Sequence, residues 1–177
     1  MGADFDMRIE YQLQVFSSAQ SLVPIADAKG AAILAANLAF IAAVFRTNDF
    51  MMTMKHSGIH DGSFLMLALV VLFFGCSVVS VVAALMVIFP RFASTKGRPD
   101  AAHLTWFRDV VRHAGPEGYH EKVAALSSAE ILKEVCCQSF VVSRILVSKY
   151  SYTRTALIGL IFAFAFWIAF LIDAFRS

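Results

Sequence analysis

The stretch Thr155-Ala-Leu-Ile-Gly-Leu-Ile-Phe-Ala-Phe-Ala-Phe-Trp-Ile-Ala-Phe-Leu-Ile172 contains no charge and no proline. A helix needs about 20 apolar residues to cross a bilayer, and this run is close to that length. Two further apolar runs lie at 28–45 and from Ser63 to Phe89, the latter also uncharged. The 177-residue chain is 59% hydrophobic with a mean hydropathy of +0.69, whereas soluble domains lie nearer half apolar. The excess sits in the three runs, which predicts an all-α membrane protein with three transmembrane helices. Roughly a hundred residues remain outside them, room for at most one small polar domain.

Upstream of the quoted stretch, the chain from Tyr119 to Ile158 has neither proline nor glycine. Ser127-Ser-Ala-Glu130 fits a capping box, in which the serine and the acid three residues later satisfy each other's backbone amides. Ile131, Leu132, Val135, Cys136, Ser139, Val142 and Leu146 continue an apolar stripe at helical spacing. One helix is therefore predicted over 128–172, roughly 65–70 Å long at 1.5 Å per residue. That is more than twice the ~30 Å hydrocarbon thickness. The cytoplasmic helical region is thus expected to be continuous with the span, so that a rotation or splay at one end is carried into the bilayer.

Elsewhere the pattern is also helical. Phe5, Ile9, Leu13, Phe16 and Val23 recur at helical spacing against Arg8, Glu10, Gln12, Gln14 and Gln20. This predicts an amphipathic helix over 5–23 that packs on another protein helix, with Pro24 bending or interrupting the path. In the first span, Ala31, Ala35, Ala39 and Ala43 form one row and Ala28, Ala32 and Ala36 the next. Such rows let helices approach closely in lipid, within one chain or between subunits. Asn37 sits mid-span and wants a partner, which Ser77 or Ser80 can supply. Pro90-Arg91 closes the second span, and Ser94 to Pro99 reads as a turn. Asp100 can cap a helix ending near Gly115, with Leu104, Phe107, Val110, Val111 and Ala114 as its stripe. Pro116-Glu-Gly118 reads as a second break.

Ten of the fifteen Lys and Arg residues fall between Arg91 and Arg154. The positive-inside rule places that segment in the cytoplasm, the N-terminus with it and the C-terminus outside. The expected organisation is an N-terminal cytoplasmic amphipathic helix (1–27), spans at 28–45, 63–89 and 155–173, an outward loop (46–62), a cytoplasmic helical sensor region (90–154) and an outward tail (174–177). No signal peptide is expected, because Met1 to Asp27 carries four acids and no apolar core. A net charge of +2 argues against a nucleic-acid partner. Three cysteines, Cys76 within a span and the adjacent Cys136 and Cys137, make no disulfide framework, and the adjacent pair reads as core residues. No phosphate-binding glycine loop or nucleophilic triad appears, and His56 and His60 have Gly58 between them and no accompanying Glu. No enzyme activity, catalytic residue, metal site or cofactor is expected.

A polar set stands beside the span ends: Asp27, Lys29, Arg91, Lys149, Tyr150 and Arg154. Interfacial anchoring accounts for the cations and the tyrosine, but leaves Asp27 unexplained. Asp27-Ala-Lys29-Gly30-Ala-Ala-Ile-Leu34-Ala-Ala-Asn37 resembles the opening of the first span in the transmembrane effectors of Pycsar antiphage defence. Pro90-Arg91, the Trp106-Phe107 region, Tyr119, and Lys149-Tyr150 with Arg154 are similar to that family too. Where the family commonly has alanine after the lysine, Gly30 stands here.

The resemblance implies a partner pyrimidine nucleotide cyclase that senses infection and makes a cyclic pyrimidine mononucleotide, cCMP or cUMP. It further implies an effector that binds this ligand with its cytoplasmic part and impairs the inner membrane, giving abortive infection. Such a ligand needs cations for its phosphate and a slot for its base. Arg108, Arg112, Lys122 and Arg144 are the candidates for the first, and Trp106, Phe107 and Tyr119 for the second. Three spans enclose little lumen, so a homo-oligomer in the lipid bilayer is expected. The alternatives are a constitutive membrane scaffold or a small channel subunit, neither with a nucleotide ligand.

Overall fold

The computed structural model describes residues 2–46, 63–89, 110–111 and 115–174. Four helices occur among the described residues: α1 (Gly2–Arg46), α2 (Ser63–Ile88), α3 (Gly115–Ala124) and α4 (Ser128–Ala174). No strand is found among them. α1, α2 and α4 are each long and apolar enough to cross a membrane. The expected outward loop, the helix capped by Asp100, the Ser94–Pro99 turn and the Pro90-Arg91 closure lie outside the described residues.

The chain divides into two compact units, one of residues 1–24 and 90–147, the other of residues 25–89 and 148–177. α1 and α4 each supply residues to both. α1 does not break at Pro24. Proline removes one backbone hydrogen bond and crowds the preceding turn, yet in a span-forming helix the lost bond is tolerated where neighbouring groups compensate. Pro116 also differs from expectation. It lies in the first turn of α3 rather than in a break, a position where the missing N–H has no intrahelical partner to lose.

In the first unit, α4 begins as its sequence dictates. The Glu130 carboxylate accepts from the Ser127 amide at 2.8 Å and from its hydroxyl at 2.7 Å, and the Glu130 amide donates to Ser127 Oγ at 3.4 Å. The two Ser127 hydrogen bonds, with Lys133 adding charge, hold the Glu130 carboxyl below its ordinary pKa. The buried stripe of α4 is Val135, Gln138, Ser139 and Val142, the i, i+3, i+4, i+7 pattern of one helix face. Cys136 is exposed, and Cys76 and Cys137 are half-buried. Cys136 is therefore not a core residue, because it lies about 100° round the helix from Val135, whereas Cys76 packs against the apolar core of the second unit. On α1 the inner face runs through Ile9, Gln12, Phe16, Ala19 and Val23, and Leu13 is 47% exposed. The small Ala19 takes the buried place.

The second unit is a bundle of three spans with α2 contacting both others. Toward one end, Val44, Val70, Phe73, Ala163, Trp167 and Phe170 form the main apolar core. Phe73 meets Phe40 edge-on at 5.6 Å and Trp167 at 5.7 Å, and Trp167 stacks on Phe170 at 5.2 Å. Toward the other end the core is small: Ala83, Ala84 and Ala156, with Ile33 and Leu34 against them. Here two glycines set the spacing. A Cβ on Gly30 would sit 2.9 Å from Cβ and Cγ1 of Val87. One on Gly159 would sit 3.0 Å from Ser80 Cβ and 3.1 Å from the Cys76 carbonyl.

Overpacking of this kind costs about 1–3 kcal/mol, more than the ~1 kcal/mol gained by Ala over Gly in a helix. Gly30→Ala should therefore lower the thermal unfolding midpoint in detergent, and adding Val87→Ala should restore most of it. An unchanged midpoint in the single variant would show that the helices do not approach as closely as this.

Candidate functional site

Of the polar set singled out in the sequence, Asp27, Lys29, Lys149, Tyr150 and Arg154 lie in the second unit, midway along the long helices α1 and α4. Lys149 is buried and forms an ion pair with Asp27. The Lys149 side chain is 5% exposed and that of Asp27 37%. Lys149 does not reach back to solvent as an interfacial anchor does. It points into the bundle, and Asp27, which anchoring could not explain, is its counter-ion. An ammonium buried without a counter-charge costs several kcal/mol, so the burial of Lys149 depends on Asp27.

Next to the pair, Lys29 Nζ lies 5.4 Å from the centroid of the Tyr150 ring, within range of a cation–π contact. Arg154 is exposed one helical turn beyond Tyr150, on the same face of α4. Thr153 donates to the Lys149 carbonyl at 2.9 Å, and Thr155 to the Ser151 carbonyl at 3.1 Å. These hydroxyls are thus satisfied within their own helix at the membrane boundary.

Ten residues further along α1, Asn37 is fully buried. Its Nδ2 donates to the backbone carbonyl of Ser77 in a long 3.5 Å bond. Ser77, one of the two partners the sequence suggested, thus serves through its backbone carbonyl. Ser80 is engaged elsewhere, its Oγ donating to the Ala156 carbonyl at 2.7 Å. Asn37 Oδ1 and Ser77 Oγ are both buried with no hydrogen-bond partner among the described residues.

Of the ligand candidates, Tyr119 and Lys122 lie on α3, half-buried and exposed respectively, and Arg144 is exposed on α4. Tyr119 and Lys122 are three apart and so neighbours on one helix face. Trp106, Phe107, Arg108 and Arg112 lie outside the described residues, as does Arg91. Sequence reasoning passed over Gly159, although a lone glycine within an apolar span is a signal of close backbone approach. Among the described residues, no three His, Cys, Asp or Glu side chains gather as metal ligands do.

Removing one partner of a buried ion pair costs about 3–5 kcal/mol, and the partial exposure of Asp27 brings the expected loss below that range. Asp27→Ala should destabilise more than Lys149→Met, because only the first leaves a charge inside the bundle. Thermal unfolding of both in detergent, with Lys29→Ala as a surface control, tests this; equal midpoints for Asp27→Ala and wild type would show that the pair carries no weight.

No curated protein and no solved structure matches the chain. The family model described as PycTM, Pycsar effector protein domain, matches residues 11–173, from the first turns of α1 to the last turn of α4. With the match taking in all three membrane-length helices and both halves of the Asp27–Lys149 pair, the chain belongs to the Pycsar effector protein family.

Proposed function

We propose that this protein is the membrane effector of a Pycsar antiphage system, receiving a cyclic pyrimidine mononucleotide, cCMP or cUMP, from a partner cyclase. On this reading it acts without catalysis and without a metal or cofactor. It sits in the inner membrane with its N-terminus in the cytoplasm and its C-terminus outside, and impairs the bilayer so that the infected cell stops growing. The observation that carries the reading is the family match over 11–173. The unbroken course of α4 from Ser128 to Ala174 supports it, since an uninterrupted helix passes a movement at one end to the other.

The proposed ligand contacts are Arg108, Arg112, Lys122 and Arg144 for the phosphate, and Trp106, Phe107 and Tyr119 for the base, where stacking is worth about 1–3 kcal/mol. The expected result is a raised melting temperature of the detergent-solubilised protein with cCMP or cUMP and none with cAMP or cGMP. The shift should shrink in Arg144→Ala and Trp106→Ala at unchanged helical content. A flat response to all four nucleotides would leave a constitutive scaffold or channel subunit as the better reading.

Homo-oligomerisation belongs to the same proposal. The two alanine rows of α1, Ala28, Ala32 and Ala36 with Ala31, Ala35, Ala39 and Ala43, are all exposed, because the helix turns Ala26, Gly30, Asn37 and Val44 inward. The outward faces of α2 and α4 are instead built of large side chains such as Leu67, Val71, Val78, Ile161, Phe162 and Ile168. A face of alanine offers lipid little to fill and another helix a close approach. Ala35→Leu and Ala39→Leu should reduce the assembled fraction in crosslinking or light scattering. A strictly monomeric wild-type particle would remove the oligomer from the proposal.

A further inference from the structure

The three spans are not held together evenly along their length. Toward the C-terminal end of α4, contacts among Phe40, Phe73, Trp167 and Phe170 tie all three helices through large rings. Toward Asp27 and Lys149 the helices meet through Gly30, Ala84, Ala156 and Gly159, which bury little area. Among the described residues, the polar contacts that tie that half are the ion pair, the Lys29–Tyr150 cation–π contact and the Ser80 hydroxyl on the Ala156 carbonyl. Where the two regimes meet lie Asn37 Oδ1 and Ser77 Oγ, buried and without a protein partner among the described residues. Asn37 is ten residues from Asp27, about 15 Å along the helix, which is half the ~30 Å hydrocarbon thickness.

A buried polar atom without a partner disfavours the state that buries it. Two such atoms at the inner limit of the small-residue half therefore weaken the closed bundle where its apolar packing is thinnest. We propose that this half is a water-admitting cleft, latched by Asp27–Lys149 and hinged on the aromatic cluster, with Asn37 Oδ1 and Ser77 Oγ as the groups that entering water hydrates. Breaking the latch exposes the Lys149 ammonium, which draws water in. Asn37 and Ser77 then give that water hydrogen bonds as far as mid-membrane. The rings beyond them hold the helices together and end the cleft. The effector reading supplies only the natural trigger; the cleft stands or falls without a nucleotide.

The test uses full-length protein in lipid nanodiscs, where both membrane faces are open to reagent. Cys76, Cys136 and Cys137 are replaced by alanine, and a single cysteine is placed at Ser77 or at Ala163, a fully buried small residue within the aromatic cluster. A charged, membrane-impermeant methanethiosulfonate is the probe. With the ion pair intact, Ser77→Cys should react slowly. In the Asp27→Asn background it should react about tenfold faster, corresponding to about 1.4 kcal/mol of lost closing free energy. Ala163→Cys should stay protected in both. Asn37→Leu should slow the Ser77→Cys reaction in the Asp27→Asn background, because it removes a group the water needs.

Equal Ser77→Cys rates with the pair intact and broken would overturn the proposal. So would Ala163→Cys reacting in step with Ser77→Cys, which would mean that the whole bundle loosens. Adding cCMP or cUMP to the intact protein tests the trigger separately. A melting shift without faster Ser77→Cys labelling would keep the ligand and reject it as the trigger of the cleft. Latch-dependent labelling without any nucleotide effect would keep the cleft and count against the ligand.

Discussion

In hydrocarbon, apolar side chains gain nothing by leaving lipid for one another, so three spans hold together only by close contact and by polar groups that lipid cannot satisfy. α2 is where both demands are met. Gly30 brings α1 against Val87 and Ala84, and Gly159 brings α4 against Ser80 and the Cys76 carbonyl. Any larger residue at either place would push a helix away from α2, and the contacts that follow depend on that spacing. The Ser80 hydroxyl reaches the Ala156 carbonyl only because no side chain stands at 159.

Polarity inside the bundle follows a gradient of satisfaction. Lys149 is fully committed to Asp27. Ser80 has a short bond to a carbonyl, Asn37 a long one through half of its amide, and Ser77 Oγ none among the described residues. Each partnerless buried group costs about 1–3 kcal/mol. Edge-on and offset aromatic pairs of the kind around Phe73 contribute about 0.5–1.5 kcal/mol each beyond their buried area. The two effects are of similar size and lie at adjacent levels of the same bundle. The structure is thus firm at the ring cluster and lightly held at the ion pair.

Much of this was legible before any coordinates. The capping box at Ser127 and Glu130 and the unbroken helix that follows are local matters, set by backbone hydrogen bonding within a few residues. The membrane-edge residues stood out because a charge beside an apolar run is conspicuous. The partner of Asp27 was not legible, since anchoring explains a lysine at such an edge just as well as burial does. Nor was the continuation of α1 through Pro24, where local preference argued for a break.

What the sequence determined by itself was the number of membrane-length helices, the span of α4 and its cap. These rest on run length and helical period, which do not require knowledge of neighbours. Only the tertiary structure decided which side of α1 faces in. One side presents Gly30, Ile33, Asn37 and Phe40, the other nothing but alanine at the named rows, and both are apolar enough for lipid. In water, hydropathy separates an inner face from an outer one. In a bilayer the solvent is itself apolar, so that signal vanishes, and shape together with the pairing of a few polar atoms settles the packing instead.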